Sequence, residues 1–221
     1  MNTRANFTGY LLAIAGSTFW FSWFLMPDPD TMNSVDILNT VKHARNSVYY
    51  SSVFQVISSV LYLTALFFLA HIYGGQLKLT LAGIILFGIG AMGMCAEAFF
   101  HLLTYYMTDE TVNIDDGIIQ VMNFMQDEGI SILMPLLLSF FIGSFLLALG
   151  LSKQGEISKI PLFLNVAAIS IVPISAIVAK TSYFTDGSLI SLSMLGLVAT
   201  SHTFLGSELI ISIKDQQDNI I

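Results

Sequence analysis

The stretch LTLAGIILFGIGAMGMCAEAFFHLLTYYM, Leu79–Met107, decides how the rest of the chain is read. It holds one carboxylate, Glu97, one imidazole, His101, and no lysine or arginine. A helix apolar on every side is not a surface helix of a soluble domain, which shows one apolar stripe. At about 1.5 Å per residue, about 20 residues cross a hydrocarbon core of about 30 Å. The segment exceeds that, so it is expected to tilt or to protrude into the outer interface.

Reading outward, comparable stretches fall at Tyr10–Met26, Val48–Ile72, Ile130–Leu151, Ile160–Ala179 and Leu189–Ile213. Together they predict an all-α, polytopic membrane helix bundle of about six transmembrane helices, a single integral membrane domain over residues 1–221. The composition agrees: 55% of residues are hydrophobic and only 10% are charged, against about 25% charged in soluble domains, and mean hydropathy is +0.76. A net charge of −7 with scattered basic residues excludes nucleic acid as a partner, because neutralising phosphates needs clustered lysine and arginine. The single cysteine, Cys95, excludes an intramolecular disulfide and any cysteine-based cluster. The lipid bilayer is the partner this composition requires.

The first segment ends in Phe24-Leu25-Met26-Pro27, without the small residues of a signal-peptide cleavage site, and is expected to be a retained helix. With the N-terminus inside, Arg4, Lys78, Lys153, Lys159 and Lys214 fall on the inner side and Lys42, Arg45 and Lys180 on the outer. That bias predicts both termini cytoplasmic. The inner connections Tyr73–Lys78 and Ser152–Lys159 are short and predict antiparallel hairpins. The outer loops, 27–47 and 108–129, are longer. In the second, Ile118, Ile119, Val121, Met122, Phe124 and Met125 recur at helical spacing between Asp115, Asp116, Asp127 and Glu128. Two readings stand: a short amphipathic helix in the outer interface that roofs the bundle, or a loop resting on headgroups.

Ionisable side chains inside a span are costly and usually face the bundle interior. Glu97 and His101, four residues apart, share one helical face. Gly83, Gly90 and Glu97 repeat at seven, so glycines that admit a neighbouring helix point the carboxylate inward too. The second helix carries Ser51, Ser52, Gln55, Ser58, Ser59 and Tyr62 in its outer half. Glu97 lies about 15 Å below the outer end of its helix, at the depth of Gln55. The expectation is an outward-facing pocket lined by Gln55, Ser59, Tyr62, Glu97 and His101, with His202 of the sixth helix facing the interior more deeply. Glu208 lies on a different face. Asn165 and Pro173 are expected to interrupt the fifth helix and Pro135 the fourth. His43 and His71 read as interfacial.

These residues admit three function classes. The first is binding or translocation of a small solute, ion or lipid headgroup, with Glu97 and His101 holding a cation or relaying protons. Against a complete transporter, no inverted repeat relates 1–110 to 111–221. The second is a metal-dependent membrane enzyme using Glu97, His101 and a third ligand such as His202, although the His-Glu-x-x-His signature is absent. Paired haem-ligating histidines, a serine nucleophile motif and a phosphate-cradling loop find no support, and the cofactor is unknown. The third is an accessory subunit of a larger membrane complex, or a homo-oligomer, in which Glu97 and His101 form only an interhelical clasp.

Glu97 in the third helix, the basic turn Ser158-Lys159-Ile160-Pro161 opening the fifth, and Glu208 followed by Lys214 closing the sixth give the layout a likeness. It resembles a family of small bacterial membrane proteins, domain of unknown function 4386. In that family an arginine stands three residues before the carboxylate, where this chain has Met94. The resemblance implies six helices and a bacterial cytoplasmic membrane, and no activity.

Overall fold

A computed structural model describes the backbone of residues 2–28, 33–73, 78–179 and 187–218, and the side chains of 6–28, 33–73, 78–171 and 189–211. The turn at 74–77, Pro29, and the side chains of Arg4, Pro173, Lys180, Asp186 and Lys214 lie outside the described residues. Every element is helical: α1 Asn2–Leu25, α2 Ser34–His43, α3 Arg45–Tyr73, α4 Lys78–Met107, α5 Asp116–Phe124, α6 Ile130–Lys153, α7 Ile160–Ala179 and α8 Gly187–Asp218. Among the described residues, four helices are long and apolar enough to cross a membrane: α3, α4, the continuous helix Asp116–Lys153, and Leu189–Ile211 of α8. The described apolar part of α7 is shorter, Ile160–Ile171. In α1, Tyr10, Ser17, Thr18, Trp20, Ser22 and Trp23 dilute the aliphatic content.

Two of the expected loops contain helices. In 27–47, Asn33 caps α2 by accepting from the Val35 and Asp36 amides at 2.9 and 3.3 Å, and Lys42 and His43 sit at the negative end of its dipole. In 108–129, the Asp115 carboxylate accepts from the Ile118 amide at 3.1 Å and starts α5. This helix does not end before the next span. A π-helical turn, Met125–Gly129, carries it straight into α6: no proline stands between Phe124 and Ile130, and Gly129 keeps helical angles, φ −62° and ψ −47°. Pro135 lies inside α6 without ending it, and Asn165 lies within an unbroken α7.

Glycines set the closest approaches. A Cβ on Gly90 would strike the Phe140 backbone, one on Gly143 the Phe87 backbone, and one on Gly83 the Leu147 backbone. The α4–α6 contact is therefore nearly backbone to backbone, where dispersion between small residues holds membrane helices together. Gly9 against Gly206 and Gly16 against Ala199 do the same for α1 and α8. At the centre, the rings of Tyr62, Phe87, Phe140 and His202 pack at centroid distances of 4.8 to 5.7 Å. A second apolar cluster, with Ile37, Leu38, Val41, Val48, Met107, Met122 and Met125 buried in it, lies where α2 and α5 cover one end of the bundle. Ser34 of α2 donates to Asn123 of α5 at 2.6 Å and ties the two covering helices together. We refer to this as the roofed end.

Candidate functional site

The hydroxyl stripe of α3 turns out to have two jobs. Ser51 donates to the Ser22 carbonyl at 2.7 Å and Ser58 to the Ala15 carbonyl at 3.0 Å, which fastens α3 to α1. Ser52 and Ser59 bond the carbonyls one turn back, Val48 and Gln55. Short hydroxyls reach their own helix first. Ser59 is fully buried, bonds the Gln55 carbonyl, and is not among the residues that line the cavity beside Glu97 and His101.

Gln55 is 1% exposed and turns toward α4. Its Nε2 donates to Glu97 Oε2 at 2.7 Å, which leaves Oε1 facing His101 Nδ1 at 3.3 Å. The amide orientation fixes the imidazole: Nδ1 carries hydrogen and donates to Gln55. Glu97 and His101 therefore meet through Gln55, with no direct hydrogen bond or ion pair between them among the described contacts. Glu97 Oε1 and His101 Nε2 have no hydrogen-bond partner among the described residues.

Both side chains line a cavity of about 570 Å³ at the roofed end. Its walls come from five directions. Trp23 and Met26 lie at the end of α1, Ile37 and Val41 on α2, Met122 and Met125 under α5, Leu133 on α6, and Leu192 and Leu195 near the start of α8. Trp23 stands edge-on to His101 at 6.2 Å between ring centroids, and its buried Nε1 has no hydrogen-bond partner. No lysine or arginine is among the described residues that line the cavity.

Tyr62 and His202 belong elsewhere. The Tyr62 hydroxyl lies 2.6 Å from His202 Nδ1, and His202 Nε2 lies 2.7 Å from Ser144 Oγ. Ser144 donates to Asn165 Oδ1 at 2.8 Å, while Asn165 Nδ2 donates to Ser201 Oγ at 2.7 Å and to the Pro161 carbonyl at 3.0 Å. Ser201 in turn donates to that carbonyl at 2.9 Å. Only one set of protons satisfies every member. Ser144 spends its hydrogen on Asn165, so His202 must donate from Nε2 and accept the Tyr62 hydrogen at Nδ1. The ring is neutral, and neither nitrogen is left for another partner.

The expected five-residue lining thus separates into a clasp in the middle of the bundle and a site above it. Glu97 and His101, bridged by Gln55, face the cavity; Tyr62 and His202 join α3, α6, α7 and α8. The trio Glu97, His101 and His202 does not assemble. Among the described residues no group of three histidine, cysteine, aspartate or glutamate side chains could hold a metal ion. No family model, no curated protein and no solved structure matches this chain.

Sequence reasoning missed most of the cavity. Its walls are mostly apolar residues on five helices, and only the spacing of Met122 and Met125 gave any sign of them. Ser144 carries no mark in the sequence, and Asn165 reads there as a break. Glu208, on its separate face, accepts from the Ser158 amide and hydroxyl, both at 2.6 Å. It thereby caps the start of α7 from a neighbouring helix, a role that single-helix periodicity cannot reveal.

Proposed function

We propose that this is a six-span protein of a bacterial cytoplasmic membrane, with both termini cytoplasmic and the roofed end outward. On this reading α1 and α7 complete the bundle, and the cavity opens from the outer leaflet. It binds or passes a small solute, ion or lipid headgroup. The observation that carries the reading is the pairing of Glu97 and His101, each with an unengaged acceptor atom, with a cavity of about 570 Å³. Pockets of that size lined by apolar walls and a few converging polar groups are the usual form of ligand sites. Among the described residues no metal cage forms beside Glu97 and His101, and recognition is the reading that the cavity supports best. We retain membership of the domain of unknown function 4386 family as a proposal, since the Ser158–Glu208 contact gives two of the shared features a common structural reason.

The chain has two tryptophans, Trp20 and Trp23. In Trp20→Phe protein the remaining indole, Trp23, lines the cavity beside His101. Titration with a panel of amines, carboxylates, alcohols and soluble headgroup analogues should give a saturable change in Trp23 emission for at least one of them. Thr104→Phe, which fills the cavity floor, should abolish it. No response to any compound, or a response indifferent to Thr104→Phe, would remove the binding reading.

A further inference from the structure

The polar groups of the cavity specify a ligand class. Gln55 takes up one oxygen of Glu97 and one nitrogen of His101, and leaves the other of each without a partner among the described residues, on two side chains that line the same cavity. With His101 Nδ1 donating to Gln55, Nε2 of the neutral ring is an acceptor. Glu97 Oε1 is an acceptor as well. Thr104, also on the floor, uses its hydrogen on the Phe100 carbonyl at 2.9 Å and has only lone pairs to offer. The floor therefore presents acceptors; the described lining also holds neutral donors on its walls, the Trp23 indole and the Thr40, Gln126 and Ser191 side chains, but no basic side chain to balance Glu97. Arg45, at the same end, is committed to Asp109 at 2.8 Å and lies over the Tyr105 ring at 4.4 Å. A carboxylate in apolar surroundings needs a counter-charge or donor from somewhere. Trp23 and Phe100 add ring faces that attract cations, and Met122 and Met125 are adaptable walls for an apolar body.

We propose that this cavity takes a ligand with an ammonium group and an apolar body, the ammonium donating to Glu97 Oε1 and His101 Nε2. The inference rests on the binding reading above and narrows it. A primary ammonium carries three donors for the acceptors of the floor, and its charge complements Glu97. A carboxylate or phosphate would instead set its own charge against Glu97 with no described lysine or arginine to offset it. The ammonium can come from a free amine or from an ethanolamine headgroup of the bilayer.

The test uses three matched probes, 2-phenylethylammonium, 2-phenylethanol and 3-phenylpropionate, titrated calorimetrically into full-length protein in phosphatidylglycerol nanodiscs. The ammonium should bind about tenfold or more tightly than the alcohol, as expected when a charge-assisted hydrogen bond is added, with the carboxylate weakest. Glu97→Gln should bring the ammonium down to the level of the alcohol. Should that variant fail to fold, the ranking of the three probes on the unaltered protein decides by itself. Equal or tighter binding of the alcohol or the carboxylate overturns the ammonium assignment while leaving a ligand pocket in place. So does failure of all three probes in protein whose Trp23 responds to other solutes; silence of Trp23 to every compound removes both proposals. If adding phosphatidylethanolamine to the discs weakens the probe by competition, the ammonium comes from lipid; if not, from a free amine.

Discussion

At the scale of single residues, the environment of His202 is the most completely determined in the molecule. Its two nitrogens, 2% exposed with the ring, are held by Tyr62 and Ser144, and the proton count leaves one arrangement. Removing the Ser144 hydroxyl strands the Nε2 hydrogen of His202 and Oδ1 of Asn165 together. Ser144→Ala should therefore destabilise the fold by about 1–3 kcal/mol, toward the lower figure because unfolded membrane helices find substitute partners. Ser144→Thr, which restores a hydroxyl, should recover part of that. Reversible unfolding in mixed micelles measures both, and an unchanged Ser144→Ala would show that the chain of hydrogen bonds contributes nothing. The sequence made Glu97, His101 and Gln55 visible, because polar atoms are rare in these spans and helical spacing put the first two on one face. It could not assign His202, whose partners come from two other helices, α3 and α6. The same limit hid Glu208, whose partner Ser158 lies fifty residues away.

At the scale of elements, helix type followed from hydropathy; of the roof, the pattern of 115–128 admitted α5 as one of two readings, and α2 was expected as loop. The glycines at 83 and 90 read correctly as a close-approach stripe, but the partner they admit is α6, whereas Glu97 on the same stripe meets α3. Periodicity gives a face and does not say which neighbour fills it. The roofed end is fastened by Asp109, just past α4, which accepts from the Thr111 hydroxyl at 2.7 Å and the Thr111 amide at 3.0 Å, and pairs with Arg45 at the start of α3. The Thr111 bonds first, and Arg45 after them, hold the Asp109 carboxyl well below the usual carboxylate range. A depressed carboxylate contributes stability that is complete above its unfolded value, about 3.9, and is lost as pH falls through its lower folded value. Asp109 is exposed, so the effect is a slope rather than a collapse. Below about pH 4 the unaltered protein should lose stability with falling pH more steeply than Asp109→Asn. Thermal unfolding in detergent across that range checks it; parallel profiles would mean that the Arg45–Asp109–Thr111 fastening is not formed in solution.

At the scale of the whole molecule, three layers stack along the bundle. Glycine-mediated contacts join α4 to α6 and α1 to α8 through the membrane-spanning region. In the middle, where Gly90 and Gly143 bring Phe140 and Phe87 against His202, lies the Tyr62–His202–Ser144–Asn165 clasp, and above that the cavity with Glu97 and His101 on its floor and α2 and α5 as its cover. The clasp is fully hydrogen-bonded; in the top layer the Trp23 indole N–H, Glu97 Oε1 and His101 Nε2 lack partners among the described residues, on side chains that line a cavity. That division is the reason to place function at the roofed end. Sequence alone gave the helical class and the depth of Glu97, since both follow from local composition and the helical rise. It gave the polar residues of a pocket but not its walls, which form only where the ends of α1, α2, α4, α5, α6 and α8 converge.

The most direct test of this arrangement is chemical access to the cavity floor. Cys95 is the sole cysteine, so Thr104→Cys in a Cys95→Ala background places one thiol three residues beyond His101. A membrane-impermeant thiol reagent should modify it from the side opposite the termini, and more slowly when 2-phenylethylammonium is present. A thiol that stays unreactive in the folded protein, or reacts only from the side of the termini, would contradict an outward-facing pocket above Glu97.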